Sequence, residues 1–244
     1  MPRIAVVNCN TNVGISESIE AYCSAQVSGD TAVRVITPEF GPESAEGYYE
    51  SFVCAAAMLH ALEAESEEFS AIVLAGFGEH GADAMRQRWE VPVVDITEAG
   101  PMLACLISRS FGVITTLTST LHQIRDSLKH SGLHERCVGV KASDVPVAST
   151  VSDIDELAGS LVPGTEELIA DGAGTIVLGC AGFSGLADAL SNRVSVPVVD
   201  CVGAGVRMAE LMVKFGLTTS KLGPYLPLNQ KNWKNWHFGP AQST

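Results

Sequence analysis

Short apolar runs alternate along the chain with longer stretches whose apolar residues recur every three or four positions. The runs RIAVVN (3–8), AVRVIT (32–37), AIVLAG (71–76), VPVVDI (91–96), FGVITT (111–116), CVGVKA (137–142), TIVLGC (175–180) and VPVVDC (196–201) predict strands. Helical periodicity fills the intervals, for instance at 48–66, 97–108, 119–131, 153–171 and 203–215. Strands that alternate with helices build βαβ units, so an α/β fold with parallel sheets is expected.

The pattern also repeats. AIVLAGFGEHGADAM…VPVVDITEAG at 71–100 runs alongside TIVLGCAGFSGLADAL…VPVVDCVGAG at 175–205, the second copy carrying one extra residue before VPVVD. IAVVNCNT at 4–11 is a weaker echo of GVITTLTS at 112–119. Duplication then predicts two similar lobes, assigned to 1–97 plus 206–244 and to 98–205, each a parallel sheet flanked by helices. Ligands of open parallel sheets collect at the carboxyl ends of the strands. Two facing lobes would bring four such ends around one cleft between them: Asn8 to Thr11, Gly76 to Gly78, Thr115 with Thr116, and Cys180 to Gly182.

Composition narrows the partners. The chain has 244 residues, 46% hydrophobic and 18% charged, enough for a sizeable core. Its net charge of −13, from 28 acidic and 15 basic residues, argues against nucleic acid and anionic membranes. A small-molecule substrate remains. The seven cysteines are odd in number and scattered, with no CxxC pair and no zinc spacing, so neither a disulfide framework nor a metal is expected. A reduced cytoplasm fits them best. MPRIAVVNCN is too short an apolar run for a signal peptide, and no run approaches the ~18 residues of a membrane span. Trp233, Trp236 and Phe238 lie among basic residues in the tail, where packing on a lobe or a neighbouring subunit is expected. A homo-oligomer is expected as well.

Cys180 is predicted to end a strand and open a helix, where backbone N–H groups would lower its thiol pKa from ~8.5. Gly179, Ala181 and Gly182 allow close approach of substrate, and the backbone donors of such turns suit a developing enolate. Thr115 and Thr116 offer hydroxyls. Asn8 and Asn10 offer donors and acceptors suited to an imide or ureido group. Gly76, at the place matching Cys180, has no side chain. His80, four residues on, is either a solvated loop residue or a second base. The other cysteines read as core, with Cys9 the one that also follows a strand and could line the cleft.

These turns resemble the aspartate/glutamate racemase superfamily, and within it the hydantoin and allantoin racemase branch. The matching pieces are VNCNTN, GPESAEGYYE, VLAGFGEHGADA, VPVVDITEAG, GVITTL, IVLGCAGFSGLA and GLTTSKLGPY, from Arg3 to about Tyr225. The resemblance implies an isomerase without cofactor. In such racemases two cysteines flank a carbon acid, one thiolate removing the proton and the other thiol returning one to the opposite face. Cys180 matches the second cysteine, and Gly76 stands in place of the first. Cys9 and His80 each stand where similar sequences usually carry proline. The implied substrate is a 5-substituted hydantoin or related ureide, held by Asn8, Asn10, Tyr48, Gly76, Phe77, Gly78, Thr115, Thr116, Ala181 and Gly182. The glycine and single cysteine are also similar to arylmalonate decarboxylase, to which Tyr48 shows a further match. Four readings stay open: a racemase inactivated or made to trap substrate at Gly76, one with a base from elsewhere such as His80, a decarboxylase protonating through Cys180, and a ligand-binding protein without turnover. For a racemase cut down to one thiol, Gly76→Cys should restore turnover.

Overall fold

The computed structural model describes residues 1–147 and 153–229, so Trp233, Trp236 and Phe238 lie outside the described residues. One sheet has the order β2 (Ala32–Ile36), β1 (Arg3–Asn8), β3 (Ala71–Ala75), β4 (Val93–Asp95); the other has β6 (Cys137–Ala142), β5 (Phe111–Thr115), β7 (Ile176–Leu178), β8 (Val198–Asp200). Every pairing is parallel. The eight helices among the described residues are α1 (Val13–Ser24), α2 (Tyr48–Ala64), α3 (Ala82–Arg88), α4 (Ile96–Ile107), α5 (Leu121–His130), α6 (Ile154–Ala170), α7 (Ala187–Ser191) and α8 (Cys201–Lys214). The fold is thus α/β, with two four-stranded parallel sheets flanked by helices.

The central strands are continuously apolar because both of their faces are covered. One core lies between the sheets and joins Val73 and Val94 to Val113, Val177 and Val199 through Ile15, Ile19, Ala99 and Val206. A second packs Val7, Ile72 and Leu74 against Cys54, Met58 and Met85 of α2 and α3. A third packs Ile114, Ile176 and Leu178 against Leu157, Leu161 and Leu190 of α6 and α7.

The repeated VPVVD…AG segments make the two lobes exchange helices. α4 leaves the first sheet and packs on β7, while α8 leaves the second and packs on β3. Each begins at an aspartate cap: Asp95 accepts from Thr97 N at 2.8 Å, and Asp200 from Gly203 N at 2.9 Å. Each then needs its glycine. A Cβ on Gly100 would lie 2.9 Å from Cys201 Cβ, and one on Gly205 would lie 3.1 Å from Ile96 Cγ2 and 3.1 Å from Val73 Cγ1. These close approaches lock α4 against α8 and fix how the sheets face each other.

The helix expected through GCAGFSGLADAL is broken. A 3-10 turn, Ala181–Phe183, is separated from the short α7 by Gly185, whose φ of +86° lies outside the range favoured by L side chains. The Gly185 N–H donates to Asp200 Oδ2 at 2.7 Å. No helix among the described residues is long and apolar enough to cross a membrane.

Candidate active site

The four strand ends meet. Register sets them in pairs: Asn8 lies opposite Ala75, so Cys9 and Gly76 follow side by side, and Ile114 lies opposite Leu178, so Thr116 and Cys180 do likewise. Between the pairs is a pocket of about 40 Å³. The first lobe supplies Cys9, Asn10, Gly76, Phe77 and His80, and the second Thr115, Thr116, Cys180, Ala181 and Gly182. Ala45 and Val147 reach it from the loops after β2 and β6. The space holds about one water, so a five-membered ring can enter only after the walls part.

Cys180 is held by the polar groups that its turn was expected to provide. The Gly182 N–H, the Thr116 side chain and the Phe183 N–H, which also donates to the Cys180 carbonyl at 3.1 Å, pull the thiol down, but burial outweighs them and pushes it up to about 11. The expected lowering therefore does not occur in this pocket. The two backbone donors belong to a 3-10 turn, without the dipole of a long helix. The Thr115 hydroxyl donates to the Gly179 carbonyl at 2.8 Å, tying the end of β5 to that of β7.

Opposite Cys180, the space above Gly76 is already filled. A Cβ there would lie 2.7 Å from Cys9 Cβ and 3.0 Å from Cys9 Sγ, and would collide with His80 Cδ2. Gly76→Cys therefore cannot simply restore a thiol. His80 is buried, at 4% exposure, rather than solvated. Burial pushes its imidazole down to about 4, partly offset by a backbone hydrogen bond at Ser51. Its Nδ1 has no hydrogen-bond partner. Cys9 is also buried. Its thiol is held well above the ordinary range by a hydrogen bond to Cys54, then by burial and by its proximity to Cys54 and Cys180. The same bond draws Cys54 down.

Three expected contacts fall outside the pocket wall. Asn8 is fully buried, and its Nδ2 donates to Asn10 Oδ1 (3.1 Å), the Asn12 carbonyl (3.2 Å) and Ser16 Oγ (2.9 Å), while its Oδ1 accepts from Asn10 N at 3.2 Å. Its polar capacity is spent on framing the turn. The Gly78 N–H donates to Thr97 Oγ1 at 2.8 Å and is not free for a ligand. Tyr48 is half-exposed and donates to Asp126 Oδ2 at 3.0 Å, bridging α2 to α5 across the lobes. Asn10 does line the pocket, but its Oδ1 also accepts from Asn12 N at 3.0 Å, leaving its amide nitrogen directed at Cys9 Sγ, 3.9 Å away.

Sequence reasoning missed Thr97 and Gln123. Thr97 Oγ1 reaches the carbonyls of Gly76 (3.3 Å) and Gly78 (3.2 Å), pinning that turn to α4. Gln123 Nε2 donates to Ser51 Oγ at 2.6 Å and to the Glu79 carbonyl at 3.3 Å, a second tie between the lobes. Thr97 stands two residues after VPVVD, a place the repeat could have flagged. Gln123 has no such signal. Among the described residues no cluster of three His, Cys, Asp or Glu side chains is placed to hold a metal ion.

Two similar α/β lobes that present thiols to one pocket are the arrangement expected of a racemase-type enzyme. The model of the Asp/Glu/Hydantoin racemase family matches residues 4–209, and the chain belongs to that family. It is 36% identical to the hydantoin racemase of Rhizobium meliloti over 91% of this chain and 93% of that protein. It is 31% identical to the hydantoin racemase of Pseudomonas sp. (strain NS671) over 99% of both. The crystal structure of allantoin racemase from Pseudomonas fluorescens superposes with a TM-score of 0.93 at 40% identity, covering 95% of this chain and 99% of that one.

Proposed function

We propose that this enzyme interconverts the enantiomers of a 5-substituted hydantoin or related ureide by moving a proton at the carbon beside the carbonyl, without a cofactor. The observation that carries the reading is Cys180, partly buried just after β7 in the pocket wall across from Gly76 and Cys9, with the Gly182 N–H and the Thr116 side chain favouring its thiolate. A thiol held near 11 stays protonated at neutral pH and serves as the acid. Its thiolate, held by the same donors, is a strong base for the reverse direction. The hydantoin and allantoin racemases above support the substrate class.

The lobes proposed from the sequence part to admit substrate and then close, excluding water while the carbanion exists. The seven cysteines are all free, which suits a reducing cytoplasm. A homo-oligomer would cover Leu106, Ile107 and Leu211, exposed side chains around one groove where α4 meets α8; light scattering that reports a monomer would contradict it.

The test is chiral chromatography after incubating the protein with single enantiomers of a 5-substituted hydantoin and of allantoin, and separately with an arylmalonate. Loss of optical purity of a ureide is the expected result. Release of CO₂ from the malonate with the ureides untouched would replace this reading by decarboxylation. Tight binding of a ureide without turnover would make the chain a binding protein.

A further inference from the structure

We infer that Cys9 is the second proton carrier of this site, acting from the first lobe on the substrate face opposite Cys180. The inference rests on the racemase reading and names the group that supplies its other half.

Strand register carries the argument. In the second lobe the thiol follows β7 and a hydroxyl, Thr116, follows the neighbouring β5. In the first lobe the thiol follows β1, and the residue that follows the neighbouring β3, Gly76, has no side chain. The thiol has thus moved one strand across, and Cys9 Sγ swings back to within 3.0 Å of where a side chain on Gly76 would begin. Gly76 is what makes this possible, because a Cβ there would lie 2.7 Å from Cys9 Cβ. The missing side chain and the added thiol are one feature.

A working thiolate also needs a donor, and Cys9 has one. The Asn10 amide nitrogen faces its sulfur at 3.9 Å, held in that orientation by Asn8 and Asn12 on the Asn10 oxygen. The Cys54 contact works the other way: Cys9 donates in it, which keeps the proton on Cys9 until substrate enters. His80 is the competitor, but it turns a ring carbon, Cδ2, toward the space above Gly76.

The step balances with no added reagent. With Cys9 as thiolate and Cys180 as thiol, the substrate C–H bond breaks and an S–H bond forms on Cys9. The electron pair moves into the adjacent carbonyl, giving the enolate. The enolate then takes the Cys180 proton on its other face, so one S–H bond breaks, one C–H bond forms, and Cys180 is left as thiolate. The opposite enantiomer uses the sulfurs in exchanged roles and returns the enzyme to its first state.

The test follows C–H signal loss in D₂O by proton NMR, with chiral chromatography, for each enantiomer of a 5-substituted hydantoin. Wild type, Cys9→Ser, Cys180→Ser, His80→Asn and Cys137→Ser are compared in reductant, with Cys9→Ala replacing the serine variant if that does not fold. Cys9→Ser and Cys180→Ser should each lose racemisation by about 10²-fold or more. Each should still exchange one enantiomer with retention, and the two variants should keep opposite enantiomers. Cys137→Ser should match wild type. Racemisation by Cys9→Ser within about threefold of wild type would overturn the inference while leaving the racemase reading intact, as would the reciprocal pattern appearing in His80→Asn instead. A wild type that neither exchanges nor racemises would sink the racemase reading itself.

Discussion

The sulfur of Cys9 stands 3.0 Å from the point where a Cβ on Gly76 would lie. The two positions therefore behave as one packing unit. Gly76→Ala should destabilise the fold by about 1–3 kcal/mol through overpacking. Adding Cys9→Gly, which removes the crowded Cβ and Sγ, should recover part of that cost, so that the double variant is more stable than the sum of the single effects predicts. Urea unfolding of the four proteins measures this, and strict additivity would contradict it.

Ionisation of the thiols should govern the pH profile. With Cys180 pushed up to about 11, the reactive thiolate fraction grows roughly tenfold per unit from neutrality. After correction for the substrate's own ionisation, kcat/KM should therefore keep climbing through pH 9. A profile with a limb near 4 and flat from 5 to 9 would instead point to His80, whose imidazole is pushed down to about 4.

Tyr48 should be dispensable for substrate binding. Its hydroxyl is committed to Asp126 at 3.0 Å, and its side chain lies outside the pocket wall. Steady-state kinetics of Tyr48→Phe should show KM changed by less than about threefold, a surface contact of this kind being weak. A KM raised tenfold or more with kcat retained would return Tyr48 to the substrate.

Asp95 should make stability depend on pH. Burial, its main cause, pushes the folded carboxyl up to about 7, above the ~3.9 of the unfolded chain. The folded state then binds more protons between those values. Its contribution is full below about 3.9 and is lost as pH rises through about 7. Asp95→Asn keeps a capping oxygen for Thr97 N and removes this slope. Relative to wild type, the variant should gain stability from pH 5 to pH 8, by on the order of 1.4 kcal/mol per unit titrated. Urea midpoints that move in parallel for both proteins would contradict the assignment.

Much of the frame was legible because it rests on periodicity. The strands at 3–8 and 137–142 have the bounds their apolar runs predict. The repeated VPVVD…AG segments pointed to duplication, and their aspartates and glycines are what cap and seat the exchanged helices. Less was legible where a side chain's fate depends on a neighbour across the ladder. Asn8 reads as a ligand for an imide until its partners in the turn consume it. His80 reads as a loop residue until Gly76 leaves a space for its ring. Gly185 looks like one more small residue in a helix until its backbone φ turns positive. Gly76, Cys9 and His80 each look like a separate departure from the family pattern; the parallel register of β1 and β3 sets Cys9 beside Gly76, and the His80 ring closes on the same space.

The most direct test of the two-lobe account is the position of solvent deuterium at early conversion. One enantiomer of a 5-substituted hydantoin is incubated in D₂O with the wild-type protein, and the enantiomers are separated at a few per cent turnover for mass analysis. Separate groups on opposite faces predict a product deuterated at the reacting carbon and a remaining substrate that still carries protium. Protium retained in the product, or deuterium appearing equally in both enantiomers from the start, would mean that one group serves both faces.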